Sequence, residues 1–329
     1  MQLLMRAAGI AALAAGVLLL AVLASPWPSA LVIRFAMDRG GERVNARLAA
    51  RVPAGIIERL DLSYDPADPG ARLDVYYPGG TPSGDRPPLT LVWIHGGGFI
   101  SGSKGQVANY VKILASGGYT VVALDYSLAP AATYPTPLYE VNSALAYLQA
   151  NATDLHVNPE RFVLAGDSAG ALTAAQVGNL LTSPPYARRL GITPALTPQK
   201  LAGLLLYCGP FDALHAGKGK PGWFGRTVMW AYSGRRDFTN DPLMPTLAVV
   251  DHLTSAFPPS FISVGNADPL APQSQTLADR LSALGVRTDT LFFPPDYAPA
   301  LAHEYQFDLD LPAARLALAR SLEFLAGRR

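Results

Sequence analysis

From about residue 57 to the C-terminus, short apolar runs alternate with stretches of helical periodicity, and this rhythm admits few architectures. Ala71 to Tyr77 places Leu73, Val75 and Tyr77 at alternate positions, the pattern of an antiparallel strand. Leu89–Ile94, Tyr119–Leu124, Phe162–Ala165, Leu201–Tyr207, Ser260–Val264 and Thr288–Phe293 are short runs rich in strand formers. Between them lie predicted helices over Val107–Ser116, from Pro137 with Leu138, Val141, Leu145 and Leu148 on one face, and over Ala169–Leu181. Pro312–Leu325 closes the chain as an amphipathic helix with Leu316, Leu322 and Phe324 on its apolar side. Strands alternating with helices predict a mostly parallel sheet covered on both faces. Half of the 329 residues are hydrophobic and 16% are charged, which suffices for the two apolar layers such a sheet needs.

Two segments break this rhythm. The Pro/Gly-rich stretch Pro78–Pro88 reads as a loop between strands, and the aromatic interval from Phe211 to Ala256 reads as an insertion forming a small cap. In that interval Trp223 to Tyr232 either lines a pocket or packs within the cap. The first thirty residues are a third exception. Ala7 to Ala24 carries no charge and, as a helix, covers roughly 27 Å, just short of a hydrocarbon core. A signal peptide fits equally well, with Arg6 ahead of the apolar core and Val22-Leu23-Ala24 offering small residues for cleavage. The expected organisation is a membrane-targeting segment at 1–30, a helical segment at 31–56 and a catalytic domain at 57–329 with its cap insertion at about 211–256. Such a protein is expected in the cell envelope, anchored or exported. Arg39, Arg43, Arg47 and Arg51 recur four apart and share one helical face, either toward anionic headgroups or as a solvated face against the body. These arginines would hold the body on the cytoplasmic side, whereas an export signal would carry it out; both readings stand on the sequence.

The net charge of +1, without basic runs interleaved with aromatics, gives no footprint for nucleic acid. The single cysteine, Cys208, ends an apolar run and reads as a small core residue. Clustered metal-ligand spacings and phosphate-loop patterns are missing, so neither a metal nor an organic cofactor is expected.

The chemistry is carried by two glycine-rich turns. Gly166-Asp167-Ser168-Ala169-Gly170 stands between a predicted strand and a predicted helix. A sharp strand-to-helix turn there strains the serine backbone and needs glycine-sized neighbours at Gly166 and Gly170. It also sets the serine oxygen at a helix N-terminus, where developing negative charge is favoured. Directly after the Leu89–Ile94 run stands His95-Gly96-Gly97-Gly98-Phe99. Its glycines leave backbone N–H groups unshielded. Gly97 and Gly98, with the N–H of Ala169, are therefore the expected oxyanion hole. His95 and Gly96 would support that loop and Asp167 would brace the serine turn.

With both motifs in view, the chain resembles the hormone-sensitive-lipase-like branch of the α/β-hydrolases, bacterial esterases and lipases marked by His-Gly-Gly-Gly. The resemblance runs from about residue 57 to the C-terminus and includes Asp125-Tyr126-Ser127-Leu128-Ala129-Pro130. It implies an acid after the next-to-last strand and a histidine after the last, which fall at Asp268 (in Asp268-Pro269-Leu270) and His303. It implies a serine hydrolase acting on a small-molecule carboxylic ester through an acyl-enzyme on Ser168. An amidase or peptidase on the same scaffold, or a silent membrane-tethered interaction module, are the alternatives. His156, His215 and His252 read as surface or satisfied histidines, and Asp296 and Asp308 share the loop of His303. The sequence departs from the family in three places: Ala271-Pro272-Gln273 replaces further acidic residues, Ala171 replaces a glycine after the serine turn, and Glu304-Tyr305 replaces Gly-Phe after the histidine.

Overall fold

A computed structural model describes residues 2–81, 88–212 and 222–328. The chain begins with α1 (Gln2–Ala24), breaks at Ser25-Pro26, and continues as α2 (Trp27–Leu48), with Pro28 in its first turn. Then come β1 (Ile56–Ser63), β2 (Arg72–Pro78), β3 (Thr90–Ile94), α3 (Lys104–Ala115), β4 (Thr120–Leu124) and α4 (Thr136–Ala150). After β5 (Phe162–Asp167) follow α5 (Ser168–Thr182), α6 (Pro184–Leu190), β6 (Leu201–Tyr207) and α7 (Trp223–Ser233). The chain closes with β7 (Ser260–Ser263), α8 (Ala271–Ala283), β8 (Thr288–Leu291) and α9 (Pro312–Ala326).

The strands form one sheet in the order β1-β2-β4-β3-β5-β6-β7-β8. β1 and β2 pair antiparallel, β2 joins β4 antiparallel, and every later pairing is parallel. The central strands β3, β4 and β5 are buried at every position, which explains why their sequences run apolar without alternation. One face is covered by α4, α5 and α8, where Leu138, Val141, Leu172, Val177 and Leu277 pack on Val92, Val122 and Leu164. On the other face α3 and α9 bring Tyr110, Leu114, Ala314 and Phe324 against Trp93, Val121, Val163 and Phe261.

Three differences from the sequence reading have physical causes. Strand β1 was not foreseen, because at the sheet edge Glu58, Arg59 and Asp61 face solvent and leave no apolar run. Leu316 does not join the buried face of α9: it is 44% exposed, and the helix lies against the sheet through Ala313, Ala314, Ala317, Phe324 and Leu325. The small alanines allow a close approach that a leucine stripe would prevent. Strand β8 ends at Leu291, two residues before the expected limit.

Helix α2 is packed on the body rather than projecting from it. Arg34 donates to the carbonyls of Ile100 and Ala129, and Asp38 accepts from the Gly102 N–H at 3.0 Å and from Gln106 at 3.1 Å. Asn45 bonds Gly105 and Asn109 on α3. The face carrying Arg39, Arg43, Arg47 and Arg51 is exposed, and Arg51 pairs with Asp310. Helix α1 is long and apolar enough to cross a membrane, and its span Leu4–Ala24 is unburied. The aromatic interval contributes α7 and short 3₁₀ turns. Residues 213–221, with His215, and 82–87 in the Pro78–Pro88 loop lie outside the described residues.

Candidate active site

Strand β5 delivers the chain to the serine turn, and Ser168 adopts φ +49°, the left-handed region that a residue with a side chain rarely holds. The turn sits hard against the neighbouring strand. A Cβ on Gly170 would lie 2.0 Å from the Ile94 carbonyl oxygen, and one on Gly166 would lie 2.6 Å from the same oxygen. The glycines on either side of the serine are therefore needed for close approach of backbone to backbone. Ser168 is half-buried at the N-terminus of α5, where the unsatisfied N–H groups of the first turn point toward it.

Two loops meet at this serine. Asp268 follows β7 and is buried, with one oxygen accepting from the Leu270 N–H at 2.7 Å. His303 follows β8, and 34% of its side-chain surface remains accessible. Its Nδ1 lies 2.8 Å from the other oxygen of Asp268 and its Nε2 lies 3.0 Å from Ser168 Oγ. With the hydrogen on Nδ1, the imidazole donates to Asp268 and accepts from the serine hydroxyl. The two loops are fastened together by groups the sequence reading missed. Asn266 accepts from the Leu301 N–H at 2.9 Å and donates to the Tyr297 carbonyl at 3.0 Å, while Ala267 N–H donates to Leu301. A Cβ on Gly265 would lie 2.2 Å from the Leu301 oxygen, so this contact too depends on a bare backbone. An asparagine two positions before Asp268, bonded across sequence distance, leaves no local pattern by which to find it.

The glycine loop after β3 is braced from both sides. Asp167 accepts from the Gly96 N–H at 2.9 Å and from Trp93 Nε1 at 2.8 Å. Gly97 has φ +105° and its Cβ would lie 2.1 Å from the Ser101 carbonyl oxygen; Gly98 has φ +59°. The Gly97 carbonyl accepts from Ile100 N–H, Ser101 N–H and the Ser101 hydroxyl. Among the described residues, the N–H groups of Gly97 and Gly98 meet no acceptor. His95 stacks on Tyr126 with centroids 4.3 Å apart, and its Nδ1 lies 2.7 Å from the Gly96 oxygen. Burial pulls the His95 imidazole down to about 4, so it is neutral at pH 7 and serves as a packed support. Tyr126, in the segment after β4, donates to the His95 carbonyl at 2.9 Å. Phe224 and Val228 of α7 pass 3.8 Å from the Cβ position of Gly98, and Tyr232 stacks on Phe99.

The other histidines lie apart. His156 stacks on Tyr77, and His252 reaches the Pro245 carbonyl at 3.1 Å. Asp308 follows the short turn after Glu304. Cys208 is buried, as expected, but also flanks the site: its sulfur, an Asp268 oxygen and a His303 nitrogen lie within 4.8 Å of one another. These donor types suit a soft cation, but His303 Nδ1 is already hydrogen-bonded to Asp268. Burial also pushes the Cys208 thiol up to about 11, so it is uncharged at pH 7. On His303, burial acts downward while Cys208 and the Asp268 hydrogen bond act upward, and the net direction is upward. With the thiol neutral at pH 7, the upward pull of Asp268 and Glu304 is what opposes burial.

A cavity of about 420 Å³ lies between α2 and the glycine loop, bounded by Arg43, Arg47, Gly97, Asp167 and Glu304. A second, of about 370 Å³, is bounded by Arg47, Arg51, His303, Glu304 and Phe307.

Comparison with known proteins places this geometry in a family. Esterase B from Lactobacillus rhamnosis has a TM-score of 0.76 and 24% identity, over 91% of this chain and 96% of that one. An esterase from Pyrobaculum calidifontis has a TM-score of 0.69 and 21% identity, over 90% and 92%. Fungal esterases from Rhizomucor miehei reach a TM-score of 0.67 at 23% identity, over 89% and 90%. At these identities the likeness is one of fold. A family model of the alpha/beta hydrolase fold matches residues 91–297. Spanning more than half of the chain, that match shows that the protein belongs to the α/β-hydrolase family.

Proposed function

We propose that this protein is a serine hydrolase that cleaves carboxylic esters, with Ser168 as nucleophile, His303 as base and Asp268 as its orienting acid. The observation that carries this reading is the continuous relay of 3.0 Å and 2.8 Å from Ser168 Oγ through His303 to Asp268. In the first step Ser168 Oγ bonds to the ester carbonyl carbon as its proton passes to His303 Nε2. The carbonyl π electrons move to oxygen, and the N–H groups of Gly97, Gly98 and Ala169 hold the resulting oxyanion. When the intermediate collapses, the C–O bond to the alcohol breaks and His303 returns the proton to the departing oxygen. Water then attacks the acyl-serine by the same route, giving the carboxylic acid and free Ser168. The three similar solved structures described above are named as esterases, and esterase B has been determined with a tributyrin phosphonate, which supports an ester as the substrate class.

Helix α1 is read as a membrane tether. Its apolar surface continues on α2, where Trp27, Leu31, Val32 and Phe35 are 43 to 68% exposed and Arg39 covers the Phe35 ring. The hydrolase reading is tested by Ser168→Ala in the full chain on a short-chain ester. The variant is expected to lose on the order of 10⁴-fold in kcat and to escape labelling by a fluorophosphonate that modifies the parent. Parental turnover by Ser168→Ala sinks the assignment.

A further inference from the structure

The residue after His303 carries a second carboxylate into the site. Glu304 adopts φ +60° and its Oε1 lies 3.6 Å from His303 Nε2, the nitrogen that also faces Ser168. A left-handed backbone at a residue with a long side chain is uncommon, and here it turns the carboxylate toward the histidine. Glu304 forms part of the wall of both cavities. It shares the wall of the larger of these two cavities with Asp167, the buried group that holds the Gly96 N–H. Burial, and after it the nearby charge of Glu304, push the Asp167 carboxyl up from the usual carboxylate range.

Resting on the reading of His303 as the base, we propose that Glu304 is a positioning residue for the ester-cleaving reaction, a second anionic partner of His303 on its Nε2 side. While the tetrahedral intermediate exists, His303 is an imidazolium. Asp268 then faces its Nδ1 side and Glu304 its Nε2 side. The charged form is stabilised twice, so His303 is a stronger base than the Ser-His-Asp set alone makes it.

Other charged groups face this pair. Arg43 and Arg47 of α2 share the larger cavity with Glu304, though no ion pair joins either to it among the described residues. Neutral His95 and Tyr110 lie on the body side, and Asp308 is in the loop of Glu304. The neutral Cys208 thiol flanks the imidazole. Glu304 is thus the anion nearest Nε2, and removing its charge removes a lift on His303.

The test is the pH dependence of kcat/KM of the full chain on a neutral short-chain ester. Activity falls as pH drops through the point where His303 gains its proton, so a lift on the imidazole moves this acid limb to higher pH. Glu304→Gln and Glu304→Ala are both expected to move the limb down by about one pH unit, the effect of a unit charge at this distance in a water-like medium. Glu304→Asp, which keeps the charge, restores most of the parental profile. An acid limb unmoved in the Gln and Ala variants overturns the proposal even if their rates fall, because a purely structural role changes the height of the profile and not its position. Fluorophosphonate labelling of Ser168 runs in parallel. Loss of the proposal leaves labelling intact, whereas failure of the underlying hydrolase reading abolishes it in the parent protein.

Discussion

Single residues set the site to within a few tenths of an ångström, and the glycines show how. Gly97 is held at φ +105° with the Ser101 carbonyl where a side chain would begin. Gly97→Ala therefore meets both a forbidden backbone region and a clash with main-chain atoms that cannot swing away. The expected cost is about 2–4 kcal/mol of stability, read by urea unfolding, together with loss of ester turnover as the loop is displaced. A variant as stable and active as the parent would show that the loop tolerates a different path. Much of this was legible beforehand. The two glycine motifs identify their own turns, and Ser168, Asp268 and His303, proposed from chain order and resemblance, meet in space at hydrogen-bonding distance. Glu304 was visible only as a departure from a family pattern. Its meaning depends on a φ angle and on the 3.6 Å approach of its carboxylate to His303 Nε2, neither of which a sequence spells out.

At the scale of elements, α2 forms the link between the N-terminus and the loops of the candidate site. Arg34 satisfies the carbonyls of Ile100 and Ala129, one from the glycine-loop segment and one from the segment after β4. Arg34→Ala leaves both carbonyls without their cationic donor. A loss of about 1.5–3 kcal/mol is expected in chemical unfolding, with kcat/KM lower by on the order of tenfold. Unchanged stability and turnover would mean that the loops hold their shape unaided. The sequence showed this helix only as arginines four apart, which mark its exposed face. Its working face is built from Arg34, Asp38 and Asn45, whose partners lie beyond residue 99 and cannot be inferred from local spacing. Buried central strands were legible because they are apolar throughout. The edge strand β1 was not, since half-exposed charged residues imitate a loop.

For the whole molecule, two apolar layers against one sheet account for the body, while α1 contributes an apolar surface that is unburied among the described residues. Leu18, 61% exposed and four residues past the centre of the Leu4–Ala24 span, offers a direct probe of the proposed tether. An arginine near the centre of a membrane helix costs about 2.5–3.5 kcal/mol on insertion scales. Leu18→Arg is therefore expected to shift the protein from the membrane pellet to the supernatant in fractionation. Its turnover of a water-soluble ester should stay at the parental level. Equal pelleting of both forms would mean that α1 does not hold the protein to a bilayer. The Arg34 clamp also sets where this chain tolerates a cut. Cleavage at Ser25-Pro26, between the two N-terminal helices, is expected to separate α1 from the body with Arg34 still seated on the loops of the candidate site. Cleavage near Gly40-Gly41 removes the segment that carries Ala30, Ile33 and Arg34, uncovering core and loop together. Trimming before Trp27 thus keeps the clamp whole, and each further turn removed from α2 takes part of the scaffold of the site with it.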